Sequence, residues 1–171
     1  MNPNSKQVVA AVAVALLLII LIYPAISTGG VSVTVRSPKI EGAEHIYVTV
    51  NGIWAHQRGQ ASTVGWTLVA NQSQTIDLIS LVNSTKSLGA GQVPVASYDA
   101  VRLELSNVTW VFNKTTTQLT IVSPQLDARL EFTAMVGKES SITVVLGGQQ
   151  QVVGPSRFFA ATLNATLTKA P

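Results

Sequence analysis

No cysteine occurs among the 171 residues. Disulfides, cysteine-ligated zinc and thiol catalysis are therefore excluded. Charge is scarce as well: Asp, Glu, Lys and Arg make up 11% of the chain, against about 25% in an ordinary soluble domain. A folded domain still has to present a polar surface, and here Ser, Thr, Asn and Gln must supply it. Hydroxyls and amides solvate a surface without charge, a composition common in exported and glycosylated proteins. The net charge of +3 and the pI near 9.5 come from basic residues scattered singly, such as Arg36, Arg58, Lys86, Lys114 and Arg157. Phosphate binding needs a patch or stripe of such residues, so no nucleic-acid partner is expected.

What the chain does have begins with a leader. Residues 1–6 are polar with one positive charge, and residues 8–26 are apolar throughout, with Pro24 inside the run. Two readings stand. A secretory signal peptide would be cut after Ala25-Ile26-Ser27, whose small residues occupy −3 and −1, leaving Thr28 as the new N-terminus. A retained signal anchor would use the same run, long enough to span a bilayer, with Tyr23 near the outer interface and Lys6 holding the N-terminus inside. Either way the rest is exported to the cell surface. The expected organisation is residues 1–27 as an N-terminal hydrophobic helix (signal peptide or anchor) and residues 28–171 as the extracellular domain.

After Gly29-Gly30, read as a short hinge, the apolar pattern has period two. Val31, Val33 and Val35 alternate with Ser32, Thr34 and Arg36, and Ile46, Val48 and Val50 alternate with Tyr47 and Thr49. Asn51-Gly52 then signals either a hairpin or a β-bulge in one long strand. Residues 58–63 read as a surface loop, 66–69 as a short strand, 75–82 as strand or helical turn, and 87–92 as a Gly-rich connection. Four further alternating segments follow: residues 98–105, 126–133, 142–146 and 159–168. Seven or more short strands without an amphipathic helix predict an all-β domain, an antiparallel β-sandwich or barrel with one wet face.

Ordered short blocks carry a family resemblance. They are the opening strand ending at Pro38, the long strand from His45 to His56, the Trp66 step, QTIDLISL at residues 74–81, and Tyr98 ahead of Arg102-Leu103. Over roughly residues 31–106 the chain resembles the exported domains of bacteria and archaea known as domain of unknown function 4382. Two features depart from that family's pattern: Arg36-Ser37-Pro38 replaces Asp-Ala-Pro, and Ala96-Ser97 stands where a Gly commonly precedes the Tyr. The resemblance implies an exported β-domain and favours the bulge at Asn51-Gly52; it implies no activity. A looser, architectural likeness is to archaeal extracellular filament subunits.

Residues able to do chemistry are few. His45 and His56 lie eleven apart with no carboxylate cluster evident, and are read as exposed or loop residues rather than metal ligands. Asp77 is read as a turn residue accepting backbone N–H groups. Asp99 and Arg102 are expected to pair on the surface, and Asp127, Arg129 and Glu131 to form an ion-pair ladder along one strand. No G-x-S-x-G, P-loop, dinucleotide fingerprint or H-E-x-x-H occurs. The expectation is a non-enzymatic protein without cofactor or metal.

The strongest functional signal is the N-x-[ST] sequon. Asn71, Asn83, Asn107, Asn113 and Asn164 all begin one, and beyond the leader only Asn51 does not. With Ser and Thr at about a fifth of the domain, chance would place about one or two of six Asn in sequons. Two functions fit. One is a glycosylated structural subunit of a filament, assembling with copies of itself by donating the strand of Val31, Val33 and Val35 to a neighbour. That route needs leader cleavage and a monomer that is incomplete alone. The other is a monomeric, membrane-anchored domain that binds surface carbohydrate or protein. Trp54, Trp66 and Trp110 could then stack on sugars, although each also suits a core or sheet-face position.

Overall fold

A computed structural model describes residues 27–171, so the apolar leader segment lies outside the described residues. The described chain is all-β. Its strands are β1 (Thr28–Arg36), β2 (His45–Gln57), β3 (Trp66–Ala70), β4 (Gln74–Asp77), β5 (Lys86–Pro94), β6 (Ser97–Phe112), β7 (Thr115–Ile121), β8 (Gln125–Thr133), β9 (Glu139–Val153) and β10 (Ser156–Lys169). One sheet holds all ten, bonded in the order β3-β2-β6-β7-β10-β9-β1-β5, with β4 also on β2 and β8 also on β6.

The sheet curls until it is nearly closed, like a barrel. At one join β7 and β10 run parallel through only Thr120–Ile121 and Phe158–Phe159. At the other, β3 and β5 lie face to face, close enough that a Cβ on Gly91 would fall 1.9 Å from the Val69 carbonyl oxygen. The expected all-β class holds, but an antiparallel sandwich is too simple. β1 also pairs parallel to β9, because it is threaded between β5 and β9 rather than added at an edge. Period two survives this change, since any strand alternates its faces.

The inward set is the alternating apolar set: Val31, Val33, Val35, Ile46, Val48, Val101, Leu103, Ile142, Val144 and Leu146 are each at most 1% exposed. Asn51 is the extra residue of a bulge, because Val50 pairs with Leu105 and Gly52 with Glu104. Its Oδ1 accepts from the Ser106 and Ser73 hydroxyls, both at 3.1 Å. The bulge lets β2 bend and stay one strand, as the family resemblance implied.

Several local expectations change. Gly29-Gly30 is no hinge: both residues are in β1, the Gly30 N–H donates to Lys138 O at 2.8 Å, and a Cβ on Gly29 would sit 2.7 Å from Met135 O. Residues 87–92 are strand β5, whose glycines permit the tight approach to β3. Residues 75–82 are both things expected, strand β4 followed by a 3-10 turn at Ile79–Leu81. β7 and the second half of β6 escaped the sequence reading. A turn signal was present, for Asn113 and Lys114 both have positive φ (47° and 60°), and Phe112 pairs with Thr115 across a two-residue hairpin turn.

Candidate functional surface

β2 and its neighbours β4 and β6 place two His–Asp pairs on the outer side of the sheet. His45 begins β2, and its Nδ1 lies 2.7 Å from Asp77 Oδ2. The ring stacks on Tyr47, with centroids 5.6 Å apart. The other Asp77 oxygen accepts the N–H groups of Ile46 (3.2 Å) and Ile79 (3.1 Å). Asp77 therefore ties β2 to the turn after β4, the backbone-accepting role expected of it, extended to a histidine on the facing strand.

His56 departs from expectation, being 6% exposed rather than a solvated loop residue. Its Nδ1 lies 2.7 Å from Asp99 Oδ1, and its Nε2 lies 3.1 Å from the Ala61 carbonyl oxygen. A carbonyl oxygen only accepts, and so does an ionised carboxylate, so the arrangement suits the imidazolium, which donates at both nitrogens. The hydrogen bond to Asp99 accordingly raises the His56 pKa above its usual 6.5, with burial opposing and the Ala61 and Val64 carbonyls adding to the rise. Residues 58–65 are wrapped over this ring. Trp66 Nε1 donates to Ser62 O at 2.9 Å, and Gln57 N–H donates to Gly65 O at 2.9 Å.

Asp99 thus pairs with His56, and the expected Asp99–Arg102 pair does not form. Arg102 instead binds Asp127 in a bidentate fork, Nε to Oδ1 at 2.6 Å and Nη2 to Oδ2 at 2.9 Å. Its guanidinium also lies 3.8 Å from the Trp66 ring centre. The ladder expected along β8 runs across strands: Glu131 meets Arg58 at 3.4 Å, not Arg129. Register decides this, since Arg102 and Asp127 are directly opposite partners on β6 and β8. The two histidines do have carboxylate partners, which sequence spacing could not reveal because they lie 32 and 43 residues away.

Chemically, a His–Asp pair is two thirds of a hydrolytic relay, which also needs a nucleophile on the far ring nitrogen. At His56 that nitrogen faces a backbone carbonyl, which makes the pair a structural clasp. Among the described residues no group of three or more His, Asp or Glu converges as a metal site would. A cleft of about 760 Å³ lies between residues 38–42 and the β9–β10 hairpin. Trp110 forms part of its lining and is otherwise core, 5% exposed, with its Nε1 bonded to Gly42 O at 3.0 Å. Trp54 and Trp66 are half-buried sheet-face residues.

All five sequon asparagines are exposed. Asn71 follows β3, Asn83 follows the 3-10 turn, Asn107 is within β6, Asn113 is in the β6–β7 turn and Asn164 is within β10. At Asn107 the side-chain oxygen accepts from Gln118 Nε2 at 3.1 Å. The residues suggested for donation are placed differently. Val31, Val33 and Val35 lie in β1, which is bonded to β5 on one edge and β9 on the other. Of the suggested cut site, Ser27 O accepts the Val95 N–H at 2.9 Å, and Thr28 opens β1 opposite Pro94. No helix among the described residues is long and apolar enough to cross a membrane.

A crystal structure of a candidate cell adhesion protein from Bacteroides fragilis is similar to this chain at 16% identity, covering 85% of it and 46% of that protein, with a TM-score of 0.37. The chain thus spans less than half the length of that protein. No curated protein matches it. The sequence profile of the family described as domain of unknown function 4382 (DUF4382) matches residues 28–156, and the chain belongs to that family.

Proposed function

We propose that this member of the DUF4382 family is a non-enzymatic, glycosylated cell-surface protein, held at the membrane by residues 8–26 and carrying its β-domain outside. The observation that carries the reading is the exposure of all five sequon asparagines, on separate elements of a charge-poor domain. Glycans at those positions would supply the hydration that charged side chains do not.

The filament form of this reading asks β1 to be spare. A strand bonded on both edges, with three valines at most 1% exposed, would have to leave its own core before it could complete another. Each abandoned valine forfeits about 1.5–3 kcal/mol of burial until a neighbour replaces it. The monomeric, anchored form requires no such exchange and is the one favoured here, with a structural or binding role at the surface.

The experiment is intact-mass measurement with N-terminal sequencing of the protein recovered from its native cell surface. The expected result is a chain that retains residues 8–26 and is heavier than its sequence by whole glycans. A chain of unmodified mass would overturn the glycoprotein reading. A chain beginning at Thr28 would overturn the anchor and return strand exchange through β1 to consideration.

A further inference from the structure

The barrel has two ends, and they differ in what they expose. The end at which the leader joins is built from residues 58–65, the β5–β6 connection, residues 134–138 between β8 and β9, and the start of β1. These pieces form one continuous rim. Val95 N–H donates to Ser27 O, Ala134 N–H donates to Ala96 O, and Arg58 N–H donates to Ser97 O, each at 2.9 Å.

Apolar side chains project from that rim. Val64 is 54% exposed, Val95 45%, Met135 47% and Val136 55%. The charged residues at this end are Arg58, which pairs with Glu131, and Lys138, Glu139 and Lys169 at or beside the ends of β9 and β10. None of the five sequons falls in the rim loops. Asn83 and Asn113 lie at the opposite end, while Asn71, Asn107 and Asn164 lie along the barrel wall. A glycan is bulky and hydrated, so its exclusion from one end leaves that end able to approach another surface.

What approaches is fixed by where the leader stops. Ile26 is followed directly by Ser27, which is already bonded into the rim through Val95. One residue extends at most about 3.6 Å, so no linker separates the apolar segment from the folded domain. We infer that this rim is a lipid-contact surface: Val95, Met135 and Val136 enter the boundary between headgroups and acyl chains beside the emerging segment. The inference rests on retention of residues 8–26 in the membrane. Apolar side chains at that depth exchange water for hydrocarbon, and the Lys138 ammonium suits anionic headgroups. The domain would then stand on its rim with the sequon-bearing wall and far end facing outward.

The absence of cysteine permits a direct test. Val95→Cys, Met135→Cys and Val136→Cys are each labelled with an environment-sensitive fluorophore in the full chain, reconstituted into vesicles of mixed neutral and anionic lipid. Val152→Cys serves as reference, since Val152 is 64% exposed at the β9–β10 tip. The expected result is several-fold stronger quenching of the three rim labels by shallow nitroxide lipids than of the Val152→Cys label, with matching protection from aqueous iodide. Rim labels that quench like the Val152→Cys label, in a chain that resists carbonate extraction, overturn the lipid contact and leave the anchored reading intact. A chain that carbonate extracts from the vesicles overturns both.

Discussion

The two halves of the curled sheet solve the same problem with different chemistry. In the half made of β2, β3, β4, β6 and β8, charged and titratable residues lie within the strands: His56, Asp99, Arg102, Glu104, Asp127, Arg129 and Glu131. They are stitched across strands by the His56–Asp99 and Arg102–Asp127 contacts. In the half made of β1, β5, β9 and β10, charges occur only at or beside strand ends, as at Arg36, Lys86, Glu139, Arg157 and Lys169. Hydroxyls take their place: Ser32 bonds Ser141 at 3.1 Å, Thr34 lies 3.0 Å from Thr143, and Thr143 lies 2.6 Å from Thr168. The halves thus differ less in how many charges they carry than in where these sit, within the strands of one and at the strand ends of the other. The latter half should respond little to pH, and the former should carry most of the response.

The comparison is hardest on the join between the halves. Phe159 is fully buried there, pairs with Ile121, and accepts Val122 N–H through its carbonyl at 3.2 Å. Its ring also presses on the backbone of β9, where a Cβ on Gly148 would lie 2.3 Å from it. Phe159→Ala is expected to cost about 3–5 kcal/mol, the range for a buried aromatic truncated to Ala. The measurement is urea unfolding followed by tryptophan fluorescence and by circular dichroism. All three tryptophans lie in β2, β3 and β6, so fluorescence reports one half while dichroism reports both. Coincident transitions, both moved by the substitution, mean that the halves unfold as one unit. Separate transitions would make them independently stable.

The second effect is smaller and confined to the charged half. His56 has a raised pKa, so the stabilisation from its charged form is fully present below about 6.5, the unfolded value. It is lost as pH rises through the higher folded value. Stability should therefore fall as pH is raised from 6 to 8, and His56→Gln should flatten that dependence. The substitution should also cost about 1.5–3 kcal/mol at low pH, the range for hydrogen bonds to charged groups. A slope unchanged in His56→Gln would show that another group sets it.

How much of this was legible in the sequence follows from the range over which each feature is encoded. Alternation within a strand is local, so the inward faces of β1, β2, β8 and β9 could be read from apolar spacing alone. Asp77 was legible for the same reason, since its bond to the Ile79 N–H spans two residues. Pairings across strands depend on register. Asp99 and Arg102 are near in sequence, whereas Asp99 is the extra residue where His56 pairs with Ala100 and Gln57 with Tyr98, and that irregularity between β2 and β6 brings it to His56. Glycine misled twice. Gly29 and Gly91 looked like flexible connections, but each is a strand residue whose missing Cβ admits a backbone from elsewhere. Such contacts leave no local pattern to read. Sequons are self-contained, which is why all five could be named without the fold.

The smallest effect tests the hydroxyl half. Ser32 and Ser141 are directly opposed on parallel strands β1 and β9, and their hydroxyls are half-buried partners. Removing one hydroxyl leaves the other without its partner, so Ser32→Ala or Ser141→Ala alone should cost about 0.5–1.5 kcal/mol. Removing both leaves neither unsatisfied, and the double variant should cost less than the sum of the singles, a coupling readable by a double-mutant cycle. Neither the single costs nor the coupling should change between pH 6 and 8 or with added salt, because no ionised group takes part. A coupling that shifted with pH would mean that charges at the strand ends reach into this half, and the division between the two chemistries would not hold.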